Sequence, residues 1–284
     1  MSIILIADSG STKTEWRAVK DGVPWKSYVS SGLNPFFVTV EEIVRTLRKE
    51  MPEMEGLSVD RIWFYCTGVS NAAKAEMVRK ALSDFFGSGE LVIGSDLLGA
   101  ARSLCMNEPG IACIIGTGSN SCYYDGKNIA SNVSPLGYIL GDEGGGAVLG
   151  RKLLTGVLKR QLPEVVIQNF FTAYPFTPSE ILDNVYNMPF PNRFLGQFTR
   201  FISENIQEPE LQEMVTSSLD EFFIRNVLQY PEAKHLPVHF TGGVAYHFKP
   251  FIEGLLIRHS LQPGLFTLAP IENLVQYHIK NLNA

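Results

Sequence analysis

The 284-residue sequence predicts an α/β protein made of two similar domains, and three observations carry that expectation. Hydrophobic residues make up 45% and charged residues 19%, enough apolar mass for a substantial core and too much for global disorder. Strand-like apolar runs alternate with helical periodicity through the first third, the order of a partly parallel sheet. A strand–turn–strand–turn–strand unit then occurs twice.

The repeat starts at the first strand, residues 3–7, which enter Asp8-Ser9-Gly10-Ser11-Thr12. Its second copy runs from residues 111–115 into Gly116-Thr117-Gly118-Ser119-Asn120. Superposing Gly10 on Gly118 pairs Ile6 with Ile114, Ser9 with Thr117 and Ser11 with Ser119, an offset of 108 residues (118 minus 10). Each loop leads into a strand and an Asp-Gly turn, Asp21-Gly22 and Asp125-Gly126, a strong hairpin signal. Residues 40–50 have helical spacing, with Val40, Ile43, Val44 and Leu47 on one side. Residues 61–66 read as a strand ending at Thr67-Gly68, and 72–86 as a helix. Residues 90–93 form the next strand, ending at Gly94-Ser95-Asp96, with a helix over 97–106. In such sheets functional residues gather at the carboxyl ends of strands, where Thr67, Gly68 and Asp96 fall. Residues 146–230 are mainly helical, interrupted by Pro175, Pro178 and the stretch from Asn187 to Asn192. The aromatic run 186–194 reads as a loop over the core or a lid. A strand at 238–240 enters Thr241-Gly242-Gly243-Val244-Ala245 and a helix, and 271–282 forms a last amphipathic helix.

Composition excludes several classes. Net charge is −5, pI about 5.6 and mean hydropathy +0.05. No basic stripe suits nucleic acid or an acidic membrane surface, and no apolar run approaches the roughly 20 residues of a membrane-spanning helix. Residues 1–7 lack a basic leader and read as a buried strand rather than a signal segment. Cys66, Cys105, Cys113 and Cys122 have no C-x-x-C spacing, and the five histidines show no metal pattern. The thiols are read as free and the protein as cytoplasmic.

With these motifs in place, the sequence resembles the actin, Hsp70 and sugar-kinase superfamily. The branch it is most similar to contains the BadF/BadG ATPases and the eukaryotic-type N-acetylglucosamine kinases. Residues 8–14 and 116–120 resemble the two phosphate loops, and residues 241–245 the adenosine motif. Ser95-Asp96, and Gly137-Tyr138-Ile139-Leu140-Gly141-Asp142-Glu143-Gly144 after the second loop, are specific to the branch. The resemblance spans residues 3 to about 250. Two departures stand out: Ser9 and Ser11 replace usual glycines, and Ala269-Pro270-Ile271-Glu272-Asn273 replaces a usual Gly-Ala.

The resemblance implies two ribonuclease H-like (actin-like ATPase) domains with an interdomain cleft, at 1–110 and 111–270. The second carries a helical insertion at about 150–232, and residues 271–284 are expected to pack back on the first. It implies ATP and Mg²⁺ as cofactors, and phosphorylation of an amino-sugar hydroxyl, above all N-acetylglucosamine to its 6-phosphate. Nucleotide contacts are expected from Ser9, Gly10, Ser11, Thr12, Lys13, Thr14, Gly116, Thr117, Gly118, Gly242 and Gly243, because successive N–H groups in a tight loop make an anion nest. Asp8 suits Mg²⁺ held partly through water. Asp96 is the expected catalytic base, although by spacing alone it reads as a helix N-cap. Asn34, Thr117, Asn120 and Asp142 are the expected sugar contacts; the competing reading of Asp142 and Glu143 as first-turn helix acids is opposed by Gly144-Gly145-Gly146, since glycines weaken a helix start. The partner is a small amino sugar, with no nucleic acid or membrane, and a homodimer is allowed but not specified. Two alternatives remain: an ATPase activating a 2-hydroxyacyl-CoA dehydratase, although Cys113-Ile114-Ile115-Gly116 lacks that group's Cys-Ala-Ala-Gly-Thr-Gly setting, and a non-catalytic sugar sensor.

Overall fold

The computed structural model describes residues 2–10, 12–69, 71–87 and 89–282. The chain divides into two compact units: one takes residues up to 107 with 126–128 and the segment from 269, the other 108–125 and 129–268. Among the described residues each unit contains one five-stranded sheet.

The first unit begins with an antiparallel meander: β1 (Ile3–Ser9), β2 (Lys13–Lys20) and β3 (Val23–Ser31). α1 (Val40–Glu50) follows, its start set by a Thr39/Glu42 capping box that satisfies two otherwise orphaned N–H groups. β4 (Arg61–Cys66), α2 (Ala72–Phe86), β5 (Glu90–Ser95) and α3 (Asp96–Cys105) complete the unit's strand–helix alternation. Strand order is β3-β2-β1-β4-β5, with β1, β4 and β5 parallel. Alternation along β1 sorts its side chains. Leu5 and Ala7 join Trp16, Phe64, Leu82 and Phe85 in one core, whereas Ile4 and Ile6 join Trp63 and Tyr65 on the other face.

The second unit repeats this plan. β6 (Pro109–Ile115), β7 (Ser119–Asp125) and β8 (Ile129–Ser131) form its meander. Helices α4 (Gly137–Leu140), α5 (Gly146–Leu158), α6 (Glu164–Ala173), α7 (Pro178–Tyr186), α8 (Pro191–Gly196), α9 (Thr199–Glu204) and α10 (Pro209–Arg225) follow. β9 (Pro237–Thr241), α11 (Gly243–His247), α12 (Lys249–Arg258) and β10 (Gln262–Thr267) close the unit. The order β10-β9-β6-β7-β8, with β6, β9 and β10 parallel, matches the first sheet strand for strand. Ladder register refines the sequence alignment of the two copies. The first hairpin's last pair is Ser9 with Thr14 and the second's is Ile115 with Ser119. Gly10 therefore corresponds to Gly116, each the first turn residue, at an offset of 106 (115 minus 9) rather than 108. The first turn is one residue longer, which Gly-x-Gly matching hides.

The stretch at 186–194 enters α8, where the Phe194 ring lies edge-on to Phe198 and Phe176, so it helps cover the helical core. Finally α13 (Ile271–Asn281) returns to the first unit and buries Ile271, Leu274 and Val275 against the β1/β4 face beside α3. No helix among the described residues is long and apolar enough to cross a membrane.

Candidate active site

In the first unit, three adjacent parallel strands end side by side. Ser9 of β1 pairs with Cys66 of β4, which pairs with Ser95 of β5. Asp8, Thr67 and Asp96 sit at those ends. Ser95 is the N-cap of α3, its hydroxyl accepting from the Leu98 N–H at 3.2 Å. The capping role is thus filled, and Asp96 is the first residue inside the helix. Its Oδ1 accepts from the Leu97 N–H at 2.8 Å, and the Thr67 hydroxyl donates to the same carboxylate. Burial raises its pKa despite those hydrogen bonds. Asn34 is buried close by: a methyl on Gly68 would lie 2.2 Å from the Asn34 Oδ1, so the turn after β4 packs directly on the asparagine.

The first loop is closed by the Gly10 N–H donating to the Lys13 carbonyl at 2.9 Å. Ser9 and Thr14 hydroxyls are fully buried and 2.8 Å apart, and Thr14 also donates to the Ser31 carbonyl. These two hydroxyls brace the hairpin from inside rather than facing solvent, so any phosphate donor from either residue is not its hydroxyl in this arrangement. Thr12 is exposed at the loop tip, and Lys13 extends into solvent 3.1 Å from Glu15. Ser11 lies outside the described residues.

Asp8 is pushed up to about 7, chiefly by burial and then by the charges of Asp96 and Glu15, with Lys13 opposing. The folded protein therefore holds a proton between about pH 4 and pH 7 that the unfolded chain releases, so this group lowers stability as pH rises through that window. Asp8→Asn is expected to melt higher than the parent at pH 8, with the gain vanishing near pH 4; an unchanged melting temperature at pH 8 would contradict the strained carboxylate.

In the second unit, loop 116–118 is locked to the start of α5. Gly146 and Ala147 donate to the Gly116 and Thr117 carbonyls, each at 2.8 Å. Asp142 approaches the same loop: its Oδ1 accepts from the Ser119 N–H at 3.3 Å, and a methyl on Gly118 would stand 2.6 Å from its Oδ2. Gly145 is the N-cap of α5, so Asp142 and Glu143 precede that helix and are not first-turn acids. Asp142 adopts φ +52, a sparsely populated region, and burial lifts its pKa to about 6. Glu143 is held by Arg225 and Asn226. Asn120 offers its Oδ1 to the Ser121 N–H and to Asn132. Gly242 has φ +108 and leaves only 2.5 Å between a hypothetical methyl and the Ile115 carbonyl. Gly242-Gly243 thus opens α11 directly against the loop. Sequence reasoning placed Asp142, Gly118 and Gly242 in three separate motifs; the fold brings them together. It did not assign Thr67 a site role, although the residue's position at a strand end was visible.

No family model and no curated protein matches the chain. Among solved structures, a candidate N-acetylglucosamine kinase from Porphyromonas gingivalis is 43% identical, with TM-score 0.94, over 98% of this chain and 99% of that one. The chain belongs to the N-acetylglucosamine kinase-like branch of the actin-like ATPase superfamily. Other solved structures share the fold at low identity. A candidate N-acetylglucosamine kinase from Chromobacterium violaceum has TM-score 0.73 at 16% identity, over 98% and 99% of the two chains. A ROK-family glucokinase from Streptomyces griseus, solved with glucose and AMPPNP, has TM-score 0.55 at 15%, over 97% and 98%. The repeated sheet order is the actin-like ATPase plan of one such unit per domain.

Proposed function

We propose that the protein transfers the γ-phosphoryl group of ATP to a hydroxyl of an amino sugar, converting N-acetylglucosamine to its 6-phosphate. The observation that carries this reading is Asp96. A carboxylate at a strand end, relieved of capping by Ser95, held by Thr67 and raised in pKa by burial, is suited to take a proton. The 43% identical relative supports the sugar-kinase class.

Phosphoryl transfer asks the protein mainly for positioning and charge stabilisation. In this reading the loops at residues 9–14 and 116–118 take the phosphates of the nucleotide and Gly242-Gly243 its adenosine; the Gly10 and Gly116 N–H groups close their own turns, on the Lys13 and Gly118 carbonyls. Asn34, Thr117, Asn120 and Asp142 orient the sugar; a carboxylate such as Asp142 accepts from neighbouring hydroxyls through charge-assisted hydrogen bonds. The sugar O6 attacks the γ-phosphorus as its proton passes to Asp96, the bond from phosphorus to the bridging oxygen breaks, and ADP leaves. Asp8 fits a Mg²⁺ role: it is a desolvated carboxylate raised by a neighbouring acid, which a cation would relieve, and Mg²⁺ is usually held by one or two carboxylates with waters and phosphates. Bound there, the ion would neutralise phosphate charge.

Coupled ADP release against N-acetylglucosamine, glucosamine, N-acetylmannosamine and N-acetylmuramic acid tests the reading. The expected result is release that depends on sugar and is fastest with N-acetylglucosamine. ATP turnover indifferent to every amino sugar would overturn it.

A further inference from the structure

Behind Asp96, on the α3/α13 face of the first sheet, lies a buried polar cluster that the chemistry above does not use. Tyr65 of β4 is two residues before Thr67, the hydrogen-bond partner of Asp96. Its ring is wedged between two glycines. A methyl on Gly94 would stand 3.1 Å from the ring, and one on Gly99, in the first turn of α3, 2.9 Å from Tyr65 Cβ. No larger residue at 99 lets α3 sit this close to β4. The Tyr65 hydroxyl is held at both sides. Arg102, six residues beyond Asp96 on the same helix, donates to it at 2.7 Å, and the His278 Nε2 of α13 lies 2.9 Å away. Arginine only donates, so the hydroxyl accepts from Arg102 and keeps its own proton to give to His278 when the imidazole carries its hydrogen on Nδ1. In that tautomer His278 Nε2 is the acceptor, the arrangement that leaves no buried hydroxyl proton unpaired. The imidazole is 4% exposed, stacks on Trp63 at 4.1 Å, and is kept neutral by burial and by Arg102 and Arg61, which push its pKa down to about 3. Arg102 also lies over the Tyr277 ring.

We propose that Tyr65 and His278 are positioning residues for Asp96. The C-terminal helix, through His278, fixes the Tyr65 hydroxyl; Tyr65 fixes Arg102 and the glycine face of α3; and α3 carries the catalytic carboxylate on its first residue. The chain of contacts is continuous and lies wholly within the first unit, so it ties the C-terminal helix to the residue proposed as the base. A site must be held to within about 0.5 Å to keep its rate, and a rigid helix on a tightly packed strand does this better than a loop. The inference rests on the kinase reading for its rate effect but not for its structural link.

Three variants test it. Tyr65→Phe keeps the ring and removes the hydroxyl; His278→Leu removes the acceptor; His278→Gln keeps an acceptor oxygen in the same reach. Tyr65→Phe and His278→Leu are expected to lower kcat by about 10-fold or more, with the KM for ATP within about twofold, and His278→Gln to recover most of the loss. A purely structural role predicts parallel losses in stability for Leu and Gln and no selective loss of kcat. Amide exchange at residues 96–99, read by mass spectrometry, gives a measure independent of activity: it should quicken in His278→Leu and Tyr65→Phe and be restored in His278→Gln. If the parent protein phosphorylates no sugar, the function is wrong while the exchange pattern still decides the linkage. Unchanged exchange at 96–99, or wild-type kcat in both disruptive variants, would overturn the proposal.

Discussion

Asp96→Asn is expected to cut turnover by roughly 10²–10⁴-fold while N-acetylglucosamine still binds with near-parental affinity. The size follows from what the change removes. Asparagine cannot accept the hydroxyl proton, but it has nearly the same shape and can still accept from the Leu97 N–H as Asp96 does. The start of α3 survives, because its cap is Ser95. Were Asp96 only a first-turn acid favoured by the helix dipole, Asn would cost about 0.3–1 kcal/mol of stability and little turnover. Melting temperature and sugar affinity by calorimetry separate the cases: a folded, sugar-binding, inactive variant supports the base, and near-normal turnover removes it.

Gly118→Ala is expected to raise the KM for sugar by about 10- to 100-fold, with a smaller loss for ATP. A methyl there would lie 2.6 Å from the Asp142 carboxylate, closer than Cβ atoms tolerate, so the acid must swing from its place against the loop. Asp142 already occupies an unfavourable φ of +52, which leaves its backbone little room to adapt. Gly116→Ala provides the contrast. A methyl at 116 meets no protein atom within 4 Å, so the unliganded fold should accept it, and a loss there would report the phosphate itself. Equal sugar KM in parent and Gly118→Ala would mean that Asp142 does not contact the sugar from this position.

Much of the architecture was legible because its signals are local. The Asp-Gly turns and the period of residues 40–50 and 72–86 each act within a few residues, and those helices form at the expected bounds. β10 was not seen. Its sequence, Gln262-Pro263-Gly264-Leu265-Phe266-Thr267, carries a proline and a glycine, and it pairs through a register shift along β9, so tertiary contact rather than propensity makes it a strand. At the site, Asp8 and Asp96 were readable as strand-end acids. The spent hydroxyls of Ser9 and Thr14 were not, because pointing into the sheet depends on the alternation of a hairpin whose turn is one residue longer than its copy. Nor was Tyr65–His278, since 213 residues separate the pair and nothing local marks it.

The central claim is transfer of phosphate to a sugar rather than ATP turnover for another end. Proton–phosphorus correlation spectra of a reaction with ATP, Mg²⁺ and N-acetylglucosamine test it most directly. The account expects one phosphosugar, its phosphorus coupled to the C6 protons and formed in equal amount to ADP. ADP accumulating at the same rate without sugar, and no phosphosugar resonance, would contradict it.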